Sequence, residues 1–250
     1  MLHFDSDSVT LTMSVTNNFF KSASAEEWTK VLELYNQVLK LKASKIQKPG
    51  GSKNLLDLDK WFQTDLSQAI QERKERYITH EELAKLMKWK LSRGKFRPRL
   101  TEMVQTNSSD LVEKSSRQAF KKLPNVGAAI KELIVLKAVG PATASAVLAA
   151  GAPEHAPFMA DESMLAIPGQ SPLAYTEAAY KRYNAEVQDC VKRLKKEDPS
   201  GEWTPHKVEL ALWTHYMACK LDPSLLASKT GPSKKRKSTG DGEGETPKKK

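Results

Sequence analysis

The stretch Leu136-Lys137-Ala138-Val139-Gly140-Pro141-Ala142-Thr143-Ala144-Ser145-Ala146-Val147-Leu148 decides the reading of this 250-residue chain. A helix is expected to end at Leu136. Gly140 supplies a tight turn that a residue with a β-carbon resists, and Pro141 sits at the favoured first position of a new helix. The small residues from Ala142 to Ala150 then let that second helix pack closely on its neighbours. Two helices joined this tightly expose backbone N–H groups at the start of the second one. Together with the helix dipole, such groups bind phosphate without reading base sequence. A ligand-free turn between helices has the same local sequence, so the hairpin alone leaves both readings open.

Working outward, helical periodicity prevails and no segment alternates β-branched residues with period two, so the fold class is all-α. Ser24 and Glu27 form a capping box that opens a helix, with Leu32, Tyr35, Val38 and Leu39 on one face. Lys48-Pro49-Gly50-Gly51 ends it. A second helix is expected over Leu56–Glu75. Thr79 and Glu82 form another capping box, and the helix it launches closes in the basic turn from Trp89 to Arg99. Shorter helices follow over Leu100–Val104, Ser108–Leu123 and Val126–Val135, then one starting at Asp161. Pro172–Lys196 and Pro205–Leu221 close the body. Residues 1–24, rich in Ser, Thr and Asn without sustained periodicity, read as a mobile leader; residues 25–222 form the helical domain; and 223–250 form a disordered basic tail.

Charge is unevenly placed. The chain carries a net +10, and half of that excess lies in its last 24 residues, which hold eight Lys or Arg against three acids. Lys234-Lys235-Arg236-Lys237, just after Pro232, has the character of a nuclear import signal, and an import receptor is the expected partner; a solubilising tail is the alternative. No apolar run is long enough to span a bilayer, and Asp5 and Asp7 occupy the place of a basic signal-peptide n-region. Two cysteines are too few for a disulfide framework, a structural zinc site or a four-cysteine cluster. The histidines lie at no ligand spacing. The expectation is an intracellular protein of the nucleus with no metal or cofactor.

The hairpin segment resembles the helix-hairpin-helix motif of the DNA glycosylase superfamily, roughly L-x-G-V-G-x-x-x-A-x-x-x-L, and would represent a divergent eukaryotic branch of it. Leu136, Val139, Gly140, Ala144 and Leu148 match. The family places a catalytic aspartate about twenty residues beyond the second glycine, after a Pro-containing loop. Here Asp161 follows Gly140 by 21 residues, within Ala156-Pro157-Phe158-Met159-Ala160-Asp161. The resemblance covers about 30 residues and implies a glycosylase-like helical body, DNA as partner and a role in DNA repair. Two positions depart from the pattern. Ala138 replaces the first glycine of the turn. Ala142 stands where bifunctional members carry the lysine that attacks the sugar, so the resemblance implies at most a monofunctional enzyme without a Schiff base.

In that reading Asp161, with Glu162 as its nearest substitute, stabilises oxocarbenium charge or activates water while a flipped base departs. The alternative is a catalytically inactive module that uses the hairpin to bind DNA or a protein. Asp161 is also suited to capping the helix that follows it. Val139, Gly140 and Ala142 are the candidate phosphate contacts of the hairpin. Arg93, Lys95 and Arg97 are the candidate contacts of the basic turn, where Trp89 and Phe96 are expected to anchor the turn to the core.

Overall fold

The computed structural model describes residues 6–97 and 99–227. They fold into thirteen α-helices, and no strand occurs among the described residues. In chain order the helices are α1 (Ser6–Ser22), α2 (Ala25–Glu33), α3 (Tyr35–Ser44), α4 (Gly51–Trp61), α5 (Ser67–Glu72), α6 (His80–Arg93) and α7 (Arg99–Val104). There follow α8 (Ser109–Lys121), α9 (Val126–Leu133), α10 (Pro141–Gly151), α11 (Asp161–Leu165), α12 (Glu177–Glu197) and α13 (Pro205–Leu221). A π-turn over Phe62–Leu66 joins α4 to α5, and a 3₁₀ turn over Pro223–Leu226 follows α13.

The expected caps are present. Ser24 and Thr79 each accept a hydrogen bond from the N–H of the glutamate three residues on, and each glutamate side chain accepts one from the cap's own N–H. Ser108 caps α8 through the N–H of Leu111, and Pro141 opens α10. Such caps satisfy backbone donors that the first turn leaves without an acceptor.

Two helices form the centre. Every residue of α10 from Thr143 to Gly151 is buried, and α13 is buried on nearly all sides from Val208 to Ala218. A helix enclosed all round needs apolar or internally paired residues on every face. α13 packs against α1, α2, α3, α11 and α12, while α10 packs against α5, α6, α9 and α12. An ion pair ties α6 to α13, Arg93 Nη1 to Glu209 Oε1 at 2.9 Å, with both side chains essentially inaccessible.

Three expectations change. The leader is not loose from Ser6 onward: it is helix α1, packed on α13. Phe19 stacks on His215 with ring centroids 4.2 Å apart, and Arg193 donates to the carbonyls of Phe20 and Ala23. Its Ser/Thr-rich composition conceals this because Thr12 and Thr16 are buried, the Thr16 hydroxyl donating to the Thr12 carbonyl at 2.8 Å. The helix expected from Ser24 breaks at Leu34 into α2 and α3, and that expected over Leu56–Glu75 is interrupted by the π-turn. Of the tail, residues 223–227 are ordered as a turn against the body. The basic cluster Lys234, Lys235, Arg236 and Lys237 lies outside the described residues.

Two buried imidazoles make the fold sensitive to acid. Burial, with the nearby Arg93 charge, pushes His206 down to about 3, and burial pushes His215 down to about 4. Both folded values lie below that of an unfolded histidine, about 6.5. The stability these groups contribute is therefore complete above that value and lost as pH falls through it toward the folded values. Thermal melts should show the midpoint falling as pH drops from 7 to 5, with a shallower fall in His215→Phe.

Candidate functional site

The α9–α10 hairpin is built against a conformational penalty. Ala138 has φ of +64°, in the left-handed region where a β-carbon meets the following carbonyl. Asn107, in the α7–α8 connection, holds this turn from outside. Its Oδ1 accepts from the Lys137 N–H at 2.8 Å, and its Nδ2 donates to the Lys137 carbonyl at 3.1 Å and the Val104 carbonyl at 2.8 Å. Gly140 caps α10 in extended backbone, is exposed, and has nothing within 4 Å of where a β-carbon would stand. Ala142 lies in the first turn of α10, where backbone N–H groups have no earlier helical carbonyl to bond. Val139 differs from the phosphate contact expected of it: its side chain is buried and its N–H donates to the Leu136 carbonyl. It supports the turn and offers no donor.

The loop that ends at Asp161 is tethered at several points. Ser145 of α10 accepts from the Met159 N–H at 2.9 Å. From α12, Tyr180 donates to the Pro157 carbonyl and Tyr183 to the Phe158 carbonyl, each at 3.1 Å. These bonds fix Asp161 relative to the hairpin. Asp161 is the first residue of α11, and the cap is Ala160, with no side-chain hydrogen bond, so the capping role expected of Asp161 is not the one it plays. Instead its Oδ1 accepts from the Tyr175 hydroxyl at 2.8 Å. Partial burial and this bond push the Tyr175 phenol up to about 12.

Hairpin, loop and basic turn meet at one cavity of about 230 Å³. Gly140, Pro141 and Ala142 form one side, Phe158 to Glu162 another, and Lys90, Arg93, Lys95 and Arg97 a third; Tyr175 lies beside Asp161. Lys90, Lys95 and Arg97 thus border the same cavity as the carboxylates of Asp161 and Glu162. Lys90 is partly buried, and burial, reinforced by the Arg97 charge, lowers its ammonium below the ordinary lysine range. Lys95 and Arg97 are exposed, and Arg97 lies 5.9 Å from the Tyr175 ring.

Arg93 requires a correction. It is 1% exposed and paired with Glu209, so a surface phosphate cannot reach it as the sequence reading expects. Burial raises the Glu209 carboxyl above its ordinary range, and the Arg93 charge pulls it back. The two aromatics of the basic turn divide. Trp89 is an anchor, stacked on Phe62 at 3.5 Å and donating to Asp59 at 2.9 Å. Phe96 is 71% exposed between Lys95 and Arg97, not anchored in the core. Sequence reasoning missed Tyr175 and Asn107, which lie in irregular segments with no periodicity or motif to flag them. No group of three or more His, Cys, Asp or Glu among the described residues is placed to hold a metal ion.

Comparison of the chain with protein-family models, curated proteins and solved structures found no match.

The strain at Ala138 is open to measurement. Ala138→Gly removes a left-handed β-carbon at the cost of a more flexible unfolded chain, for a net gain of about 1 kcal/mol. Urea denaturation should show a higher midpoint with an unchanged slope.

Proposed function

We propose that this chain is a DNA-binding protein with a helix-hairpin-helix, glycosylase-like body, and that its cavity receives a nucleotide turned out of the helical stack. The observation that carries the reading is the convergence in one cavity of the hairpin start, the basic turn and the Asp161 carboxylate, from three separate parts of the chain. The backbone at Gly140 and Ala142 and the exposed Lys95 and Arg97 take the phosphates. Exposed Phe96, flanked by those two cations, offers a face on which a base stacks.

In the catalytic form of this proposal, Asp161 stabilises the positive charge that develops on the sugar as the N-glycosidic bond breaks, or orients the water that replaces the base. The Tyr175 hydroxyl holds one carboxylate oxygen and leaves Oδ2 for that task. With Ala142 in place of a nucleophilic lysine in the hairpin, the chemistry is hydrolysis without strand cleavage. The basic cluster at Lys234–Lys237 would address the protein to the nucleus through an import receptor. Replacing those four residues with alanine should then move a fluorescent fusion of the full chain into the cytoplasm, and unchanged nuclear signal would remove that assignment.

Binding of duplex DNA across a salt series tests the reading. Each phosphate contact adds about 0.9 to the logarithmic salt slope, so Lys95→Ala with Arg97→Ala should flatten it by roughly two. Gly140→Glu, at a position with space for a side chain, should weaken binding with circular dichroism unchanged. Asp161→Asn should keep binding and lose base release on a panel of damaged duplexes. Binding without release in the wild-type chain would leave the protein a DNA-binding module. Absence of DNA binding would remove the proposal.

A further inference from the structure

Lys90 is a half-buried cation in the cavity wall, and its side chain makes no hydrogen bond or ion pair with any described residue. The charges that bear on its ammonium are those of Arg97 and Asp161, which border the same cavity. The ammonium is therefore turned toward that space. Asp161 stays apart from it: one carboxylate oxygen accepts from Tyr175 at 2.8 Å, and no ion pair joins Asp161 to Lys90. Glu162 bears instead on Lys42 and Lys220, toward α3 and α13. A cation on the α6 wall and an anion on the α11 wall thus share one cavity of about 230 Å³ without neutralising each other.

That separation matches the charge that appears when an N-glycosidic bond breaks. The bond from the anomeric carbon to the base nitrogen opens with both electrons leaving on the base. The sugar gains positive charge, and a base that was neutral departs as an anion. Water then bonds to the anomeric carbon, and the proton it sheds neutralises the base. Fixed charges in a site shielded from water act most strongly on charge that develops there. We infer that Lys90 contacts the departing base and stabilises its negative charge, opposite Asp161, and that the cavity is set for neutral bases such as deaminated or oxidised ones. The inference rests on the proposed role of the cavity in base excision. A purine alkylated on a ring nitrogen carries positive charge and departs neutral, so a facing ammonium repels it on entry and does nothing for its departure.

The test follows base release by the full chain from duplexes carrying uracil, hypoxanthine or oxidised guanine, and from one carrying the cationic N7-methylguanine. Release should come from the neutral set. Lys90→Met should slow it about 100-fold, as expected for removing one preorganised charge partner, with binding of fully paired duplex unchanged. Lys90→Arg should recover most of the rate. Any release of N7-methylguanine should be undiminished in Lys90→Met, whereas a structural role for Lys90 would lower both. Release of N7-methylguanine alone by the wild-type chain, or release of neutral bases indifferent to Lys90→Met, overturns the inference and spares base excision. A salt slope for paired duplex flattened by about one in Lys90→Met would mark Lys90 as a phosphate contact and also overturn it. DNA binding with no release of any base removes base excision and the inference together.

Discussion

The Arg93–Glu209 pair is the constraint on which the site depends. It joins the end of α6 to the middle of α13, with both side chains removed from water. A buried ion pair of this kind is a poor source of net stability, because desolvating two charges offsets most of their attraction. Its effect is positional. Cutting either partner strands the other charge in the core, so α6 must end where Glu209 can be reached. The chain therefore leaves α6 at Gly94 in one place, and Lys95 and Arg97 emerge at the cavity. The aromatic enclosure reinforces this, since Trp89, one turn before Arg93, is held by Asp59 and by stacking on Phe62.

The hairpin has the opposite character, local strain held by a few specific bonds. Ala138 in the left-handed region is unfavourable by itself, and Asn107 clamps both polar groups of the adjacent Lys137. Ser145 then links the hairpin's second helix to the loop that presents Asp161. Strained backbone that its surroundings hold in place is typical of sites kept in a working geometry. Here the strain, the exposed start of α10 and the tethered carboxylate all border the same cavity.

Legibility along the chain followed the range of the interactions. Ser24 with Glu27 and Thr79 with Glu82 were readable because a capping box closes within four residues. The start of α10 was readable because Pro141 suits the first position of a helix; the strained residue of the turn was not, since Gly140 is in ordinary extended backbone and Ala138 carries the positive φ. Helix α1 was not, because its Thr12 and Thr16 look polar in a window of sequence and are buried only by packing on α13. The break at Leu34 and the π-turn at Phe62–Leu66 were equally hidden, since neither carries a proline or glycine. Phe96 has the apolar character of an anchor and is exposed, whereas Trp89, seven residues earlier, is the anchor.

Sequence by itself determined the all-helical class, most of the helix starts, including Pro141 at the start of α10, and the candidacy of Asp161. The helices rest on side chains acting on backbone within a few residues, and the candidacy of Asp161 rests on its spacing from the hairpin. Tertiary structure alone decided that Arg93 is a core residue facing Glu209, 116 positions away, that Tyr175 holds Asp161, and that three distant segments share one cavity. Burial and partnership are properties of the packed body: an arginine reads the same in sequence whether water or a carboxylate receives its charge, and only the position of α13 settles which.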